Sequence, residues 1–422
     1  MQTLIIEPHD SFIARDGRPF GLIAGVRASS LPFPFPSTTT GGVRTRAGLT
    51  DGVFDDSKLE DVKSKTVCGP LLVELDWDGC VTQWFAHAPA DALLLDAKSG
   101  DKEKAAVRRL APQPLPADAR TNLPDNLLPL YLLQADKSKP HGFAPRFWRW
   151  NKFLNWLADP KDSDEEVLTD IGTVGPPRDE RSHVNIEGDK QTHEEGGLFQ
   201  TRGLEFTRPK GKDAKENYKL EQATRLALAV TTDATGIKEG IAPLGGERRL
   251  VCWREFKPAP VTSDLLNSKC PDITTSGSPD YKAKDIRGRI IADKACRVVL
   301  LTPACFDAGW KPNWLTEGAA GVTANDFKVT LRAAAMGRAQ VISGWDLAYV
   351  NPKTNRRGSP KPTRRLVPAG SVFFLQFQGD DKEIVQWINN VWMCCVSDSD
   401  TDRRDGFGLA ALGTWPEGKE MK

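Results

Sequence analysis

Apolar residues recur at strand and helix spacings along the chain and divide it into short elements. Leu4 to Ile13 reads as a strand, and a helix is expected from Gly41 to Leu49. Between them, Leu31-Pro32-Phe33-Pro34-Phe35-Pro36 reads as a rigid spacer. Leu71 to Val81 reads as strand, tight turn, strand, because Asp78-Gly79 suits a hairpin. Ala111 to Leu130 is proline-rich and irregular. From Pro145 to Leu157 the pattern is helical, with Phe147, Trp150, Leu154 and Leu157 on one face. That face suits either a packed core or an aromatic platform. Asp159 to Asp170 reads as an acidic, solvated loop. Arg181–Ile186 and Gly197–Phe206 read as two arms of a long hairpin with a polar tip. Leu226–Val230 is a short apolar strand, and Gly245-Gly246 turns the chain into another strand ending near Trp253.

The second half continues with a strand at Cys296–Leu301 and an element at Phe327–Met336 that fits helix or strand. Strands follow at Val341–Leu347 and Ser371–Phe377, and the last lies within Gly406–Trp415. Asp380 to Cys395 is the strongest helical pattern. Ile384, Trp387, Ile388, Val391, Trp392 and Cys395 share a face, and Asp380 with Glu383 resembles a capping box. If Phe327–Met336 is a helix, this half has the order β-α-β-β-α-β of a ferredoxin-like (RRM-like) unit. The first half admits the same order, with strands near 4, 198, 226 and 249 and a helix at 41. The expected fold class is therefore α+β, with two such units. Boundaries are expected at 1–256 and 291–422, joined by a linker over 257–290 that is rich in Pro, Ser, Thr, Asp and Lys. Large insertions fall at about 55–180.

With 422 residues the chain is long enough for two domains. Its 57 Lys and Arg balance 56 Asp and Glu, so a nucleic-acid site must be a local patch. The eight cysteines are scattered, with no C-x-x-C pair and few histidines beside them. That argues against structural zinc and fits a reducing, cytoplasmic setting. No apolar run is long enough for a membrane span.

Two segments carry candidate anion chemistry. Gly41-Gly42, read as a helix start, would offer unpaired N–H groups, with Arg44 and Arg46 adding charge. Between Asp346 and Asp380 there is no acidic residue, but there are six basic ones: Lys353, Arg356, Arg357, Lys361, Arg364 and Arg365. Prolines 352, 360, 362 and 368 stiffen this stretch. Held cations of this kind suit a phosphate backbone, and a solvated loop is the alternative. Catalytic signals are thin. His9 and His183 sit beside strands, Glu7 with Asp10 makes a weak metal pair, and no Walker loop or H-E-x-x-H motif occurs.

An ordered set of segments resembles a known family. It comprises Ile6-Glu7-Pro8 with Arg15 to Phe20; Leu31-Pro32 to Arg44; Ser182-His183-Val184 with Gly197-Leu198-Phe199; and Gly245 to Arg249. It continues with Leu301-Thr302-Pro303 and Gly309-Trp310; Gly344-Trp345-Asp346-Leu347; Pro360 to Ser371; and Gly406 to Leu409. The set spans nearly the whole chain and resembles the RAMP superfamily of CRISPR proteins. Within it, the match is to the third-subunit family of the Cmr complex, the type III-B effector. The insertions at about 55–180 and 257–290 fall outside the match.

The resemblance implies two ferredoxin-like domains and a non-catalytic, cofactor-free role. Such a subunit grips the 5′ handle of the CRISPR RNA. It contacts the large polymerase-like subunit and a backbone RAMP subunit, and it protrudes a β-hairpin thumb, here matching His183 to Phe206. The RNA-binding residues implied are Arg15, Arg18, Gly41, Gly42, Arg44, Arg46, His183, Arg248, Arg249, Trp345, Lys361, Arg364, Arg365 and Phe407. In that picture Gly41-Gly42 with Arg44 and Arg46 hold handle phosphates. Arg248, Arg249, Arg364 and Arg365 line a groove between the domains, and Trp345 or Phe407 stacks on a base. Three other readings stand beside this one: a handle-binding subunit of another type III complex, a metal-independent RAMP endoribonuclease, and an assembly protein that touches no RNA.

Overall fold

A computed structural model describes residues 1–15, 27–124, 126–186, 189, 192–209, 223–256, 286–315, 327–355 and 357–419. It is a mixed α/β structure whose sheets are mostly antiparallel. Contacts divide it into two units that interleave along the sequence. The first takes Met1–Gln83, Pro176–Phe256 and Val341–Arg365; the second takes Trp84–Gly175, Lys257–Gln340 and Leu366–Lys422.

The first unit is built on β1 (Gln2–Pro8), α1 (Pro36–Ala47) and β2 (Val67–Leu75). A separate ribbon pairs β3 (Arg178–Ile186) with β4 (His193–Leu204), and the main sheet resumes with β5 (Ala223–Thr232) and β6 (Leu250–Glu255). The main strands lie in the order β2-β5-β1-β6, antiparallel throughout. Central register pairs Ile6 with Leu228 on one side and Trp253 on the other. All three are buried, so this face is core. The segment near 198 is not in this sheet. It pairs in β4 with β3, His183 opposite Phe199. Val67–Leu75, inside the stretch read as an insertion, takes its place. Its run of apolar residues, buried from Leu71 to Val73, suits a strand covered on both faces.

The sequence reading started the first helix at Gly41, but α1 starts at Pro36. Proline fits a first helical position because its φ is already helical and the N–H it lacks would have no partner there. The helix then lays Thr39, Thr40 and Val43 inward. Gly42 lets it come close to the sheet: a Cβ there would lie 2.4 Å from Leu244 Cδ1 and 3.0 Å from Trp253 Cη2. The Asp78-Gly79 turn forms as expected after β2, with Gly79 at φ 82°.

In the second unit, β7 (Ala295–Leu300), β8 (Lys328–Ala335), β9 (Val372–Gln378) and β10 (Ala410–Thr414) form a sheet in the order β8-β9-β7-β10. The ambiguous element at 327–336 is thus a strand, and Val341–Leu347 lies outside this sheet. The longer helices described in this unit are α2 (Trp150–Ala158), α3 (Ile286–Asp293) and α4 (Asp381–Val391). In α4 the capping box is present, Glu383 N donating to Asp380 Oδ1 at 2.8 Å and Asp380 N to Glu383 Oε2 at 2.9 Å. Ile384, Trp387, Ile388 and Val391 are buried, as the periodicity requires.

Helix α2 begins at Trp150; Phe147–Arg149 before it is a short strand. Trp150, Leu154 and Leu157 are buried, so this face is core rather than platform. The helix end abuts β10, where Thr414 Oγ1 donates to Ala158 O at 2.9 Å. Asp159–Asp170, read as a loop, contains a strand at Ser163–Val167 and a helical turn at Leu168–Ile171. It is held by Lys104 to Glu165 at 3.0 Å and Lys152 to Glu166 at 2.9 Å. Of the expected linker, 257–285 lies outside the described residues, and 286–290 begins α3.

Candidate nucleic-acid interface

The proposed helix-start anion site does not form. Gly41 and Gly42 lie in the second turn of α1, where each N–H bonds to the carbonyl four residues earlier. Arg44 and Arg46 sit in its last turn, away from the positive helix end. Arg44 Nη2 donates to Lys65 O at 2.8 Å. Arg46 donates to Lys238 O and lies 5.2 Å from the Trp253 ring centroid. Burial pushes the Arg46 pKa below the usual guanidinium value.

The other arginines near β1 hold carboxylates. Arg15 pairs with Glu247, and Asp10 receives Arg181 at 2.8 Å and also Arg249. Burial of Asp10 opposes ionisation, but the Ser11 N–H at 2.7 Å, then Arg249 and Arg181, outweigh it and hold the carboxyl below the usual range. Glu7, 5% exposed, binds Arg225 through two bonds of 2.8 and 2.9 Å and also Arg254. Both carboxylates of the suspected metal pair are thus taken up by arginines. Arg248 is exposed, on a positive-φ turn after Gly245, whose own φ is 78°. A Cβ on Gly245 would sit 2.6 Å from Ile13 O, so only glycine fits there. Arg18 lies outside the described residues.

On the β3–β4 ribbon, His183 Nε2 lies 2.8 Å from Thr201 Oγ1 and its ring stacks on Phe199 at 5.0 Å. Phe407 is fully buried and presents no ring face to a base. Gly408, at φ 84°, instead packs its backbone against Ser397.

The basic segment presents a different picture. Trp345–Val350 and Arg357–Pro360 form an antiparallel hairpin, with Trp345 opposite Pro360. Its turn is ordered by Asn351, whose Oδ1 accepts from Lys353 N at 2.9 Å and Thr354 N at 3.1 Å. Such an Asx turn replaces strand bonding where the chain reverses. Trp345 is 58% exposed, against the usual tendency of tryptophan to be core. Its indole lies over Gly358, at φ 97°, where a Cβ would come within 2.2 Å of Nε1. Lys361 N donates to Gly344 O at 2.7 Å, closing the hairpin base. Lys353, Lys361 and Arg365 are exposed, and among the described residues none of them forms an ion pair. Arg364 is half-buried in a short strand, Arg364–Leu366. Arg356 lies outside the described residues.

The family model described as CRISPR-associated protein (Cas_Cmr3) matches residues 4–415. The chain belongs to that family. It is therefore a CRISPR-associated subunit of the Cmr kind. No curated protein matches it. Among the solved chains similar to it are two from Cmr-beta complexes. One is from the type III-B Cmr-beta bound to cognate target RNA and AMPPnP, state 1, at 13% identity and TM-score 0.42; the other is from Cmr-beta bound to cognate target RNA, at 16% and 0.39. Each comparison covers 92% of this chain and 89% of the other. Among the described residues, no helix is long and apolar enough to cross a membrane.

Within this Cmr family member, sequence reasoning missed one charged centre. Arg297 is 1% exposed in the middle of β7, paired with fully buried Asp91 at 2.5 Å. The signal was present: one arginine inside the apolar run Cys296-Arg297-Val298-Val299 demands a buried partner.

Proposed function

We propose that this Cmr subunit grips the 5′ handle of the CRISPR RNA without cutting it, chiefly through the 345–365 segment. The observation that carries the reading is an exposed tryptophan on a stiffened hairpin whose exposed cations have no acidic neighbour in 33 residues of sequence, from 347 to 379. Lys353, Lys361, Arg364 and Arg365 would neutralise handle phosphates and release counterions. Trp345 would stack on a base, worth about 1–3 kcal/mol. Exposed Arg248 is a further phosphate contact in this reading. Arg15, Arg44, Arg46 and Arg249 already serve carboxylates or carbonyls, so they support the scaffold first.

Both units fit ferredoxin-like RAMP domains. Taking their strands in chain order as 1 to 4, each sheet runs 2-3-1-4. The first unit carries the helix after strand 1, and the second the helix after strand 3. The β3–β4 ribbon is the thumb in this reading, and the chain joins the large polymerase-like subunit to the RAMP backbone. Photocrosslinking tests the RNA role. Handle RNA should crosslink within 345–365 and remain intact. Crosslinks confined to other segments would refute the site, and a unique cut in repeat RNA would establish a nuclease instead.

A further inference from the structure

The turn between β2 and the Val81–His87 strand presents a second exposed tryptophan, Trp77, 51% exposed. Its backbone is held unusually firmly for a hairpin tip. Arg225 Nη1 donates to Asp76 O at 2.9 Å and to Trp77 O at 2.5 Å. The same guanidinium lies 6.0 Å from the Trp77 ring centroid. Arg225 is in turn fixed by its two bonds to Glu7, a side chain only 6% exposed. Arg254, also on Glu7, lies against Gly79, where a Cβ would fall 2.1 Å from its Nη1. Inside the turn, Cys80 N donates to Asp76 Oδ1 at 2.8 Å and Asp76 N to Cys80 O at 2.9 Å. A buried carboxylate thus clamps two arginines, and these clamp a turn whose tip is an exposed indole.

Neither the sheet nor the core needs this indole outside. An ordered, exposed aromatic is the form of an interface hot spot, because little entropy remains to be lost on docking. The charge around it selects the occupant. Asp78 is exposed and Asp76 half-buried, one on each side of Trp77. With Glu7 counted beside Asp76 and Asp78, and Arg225 beside Arg254, the turn carries three carboxylates and two guanidinium groups. The net negative charge disfavours a phosphate backbone and suits a cation, which an indole face also binds.

We propose that the Trp77 turn is a docking anchor for a lysine- or arginine-bearing segment of a neighbouring protein subunit in the Cmr complex. The cationic side chain lies on the free face of the indole, with Asp76 and Asp78 flanking it. This rests on membership of the Cmr family and not on the RNA site proposed above.

The test uses the full chain and the other Cmr subunits assembled with a guide RNA. Affinity for the complex lacking this chain is measured for wild type, Trp77→Ala, Trp77→Phe and Asp78→Lys. Trp77→Ala should weaken joining by at least about 10-fold, and Trp77→Phe should recover most of it. Asp78→Lys, which leaves the clamp intact, should weaken joining most at low salt, where like-charge repulsion is least screened. Binding of handle RNA by the isolated chain should be unchanged in all three. Wild-type joining by both Trp77→Ala and Asp78→Lys would overturn the proposal. So would a loss of handle-RNA binding by isolated Trp77→Ala equal to its loss of joining, which would make the indole a base platform. Failure of the 345–365 RNA site would show instead as lost crosslinks with Trp77-dependent joining intact.

Discussion

Replacing Arg297 by methionine should destabilise the second unit severely. In the native protein its guanidinium donates to Asp91 Oδ2 at 2.5 Å, Trp156 O at 2.6 Å, Thr414 O at 2.7 Å and Leu157 O at 3.3 Å. Asp91 is fully buried, and once Arg297 is gone its side chain keeps, among the described residues, only the 3.0 Å bond from Trp156 Nε1. Stranding a buried charge costs about 3–5 kcal/mol. Three carbonyls also lose a donor, but these losses share one side chain and do not simply add. For a unit of this size, each kcal/mol lowers Tm by about 2–4 °C, so the expected fall is about 6–20 °C. Calorimetry with circular dichroism would read it. The double variant Arg297→Met/Asp91→Leu removes both charges and should recover most of the loss. A single variant within about 1 kcal/mol of wild type, or a double variant less stable than the single, would refute the argument.

Other expectations follow from particular contacts. His87 is pushed down to about 3, first by burial and then by the nearby Arg146 charge. The unfolded imidazole therefore takes its proton first, and stability should fall as pH drops from about 6.5 towards 3, by about 2 kcal/mol at pH 5. His87→Phe, which keeps an aromatic ring against Phe147, should remove that share of the acid sensitivity; denaturation curves at pH 7 and pH 5 showing an equal loss in both proteins would contradict it. Adjacent glycines of α1 should respond oppositely to alanine. Gly42→Ala forces a Cβ into Leu244 and Trp253 and should cost about 1–3 kcal/mol, whereas Gly41→Ala points into open space and should gain about 0.5–1 kcal/mol in urea titrations.

What could be read from the sequence was local. The α4 periodicity and its Asp380–Glu383 box needed only neighbouring residues, and so did the Asp78-Gly79 turn. Pro36 misled because proline marks both spacers and first helical turns, and only the packing of Thr39, Thr40 and Val43 separates the two. Strand partners were harder. Val67–Leu75 and the segment near 198 are both plausible strands, and their pairing with β5 or β3 is decided by contacts far along the chain. The same limit governs the site. The acid-free basic stretch was visible as composition. That Arg44 and Arg46 are engaged was not, because their carbonyl partners lie 21 and 192 residues away.

The central claim is that the 345–365 segment binds handle RNA, chiefly through Lys353, Lys361 and Arg365, which form no ion pair among the described residues. The direct measurement is the salt dependence of handle-RNA affinity for wild type and for Lys353→Glu/Lys361→Glu/Arg365→Glu. With a slope of about 0.7 per phosphate contact on single-stranded RNA, losing three contacts should flatten the log–log slope by about 2 and weaken binding at every salt concentration. An unchanged slope with unchanged affinity would contradict the account.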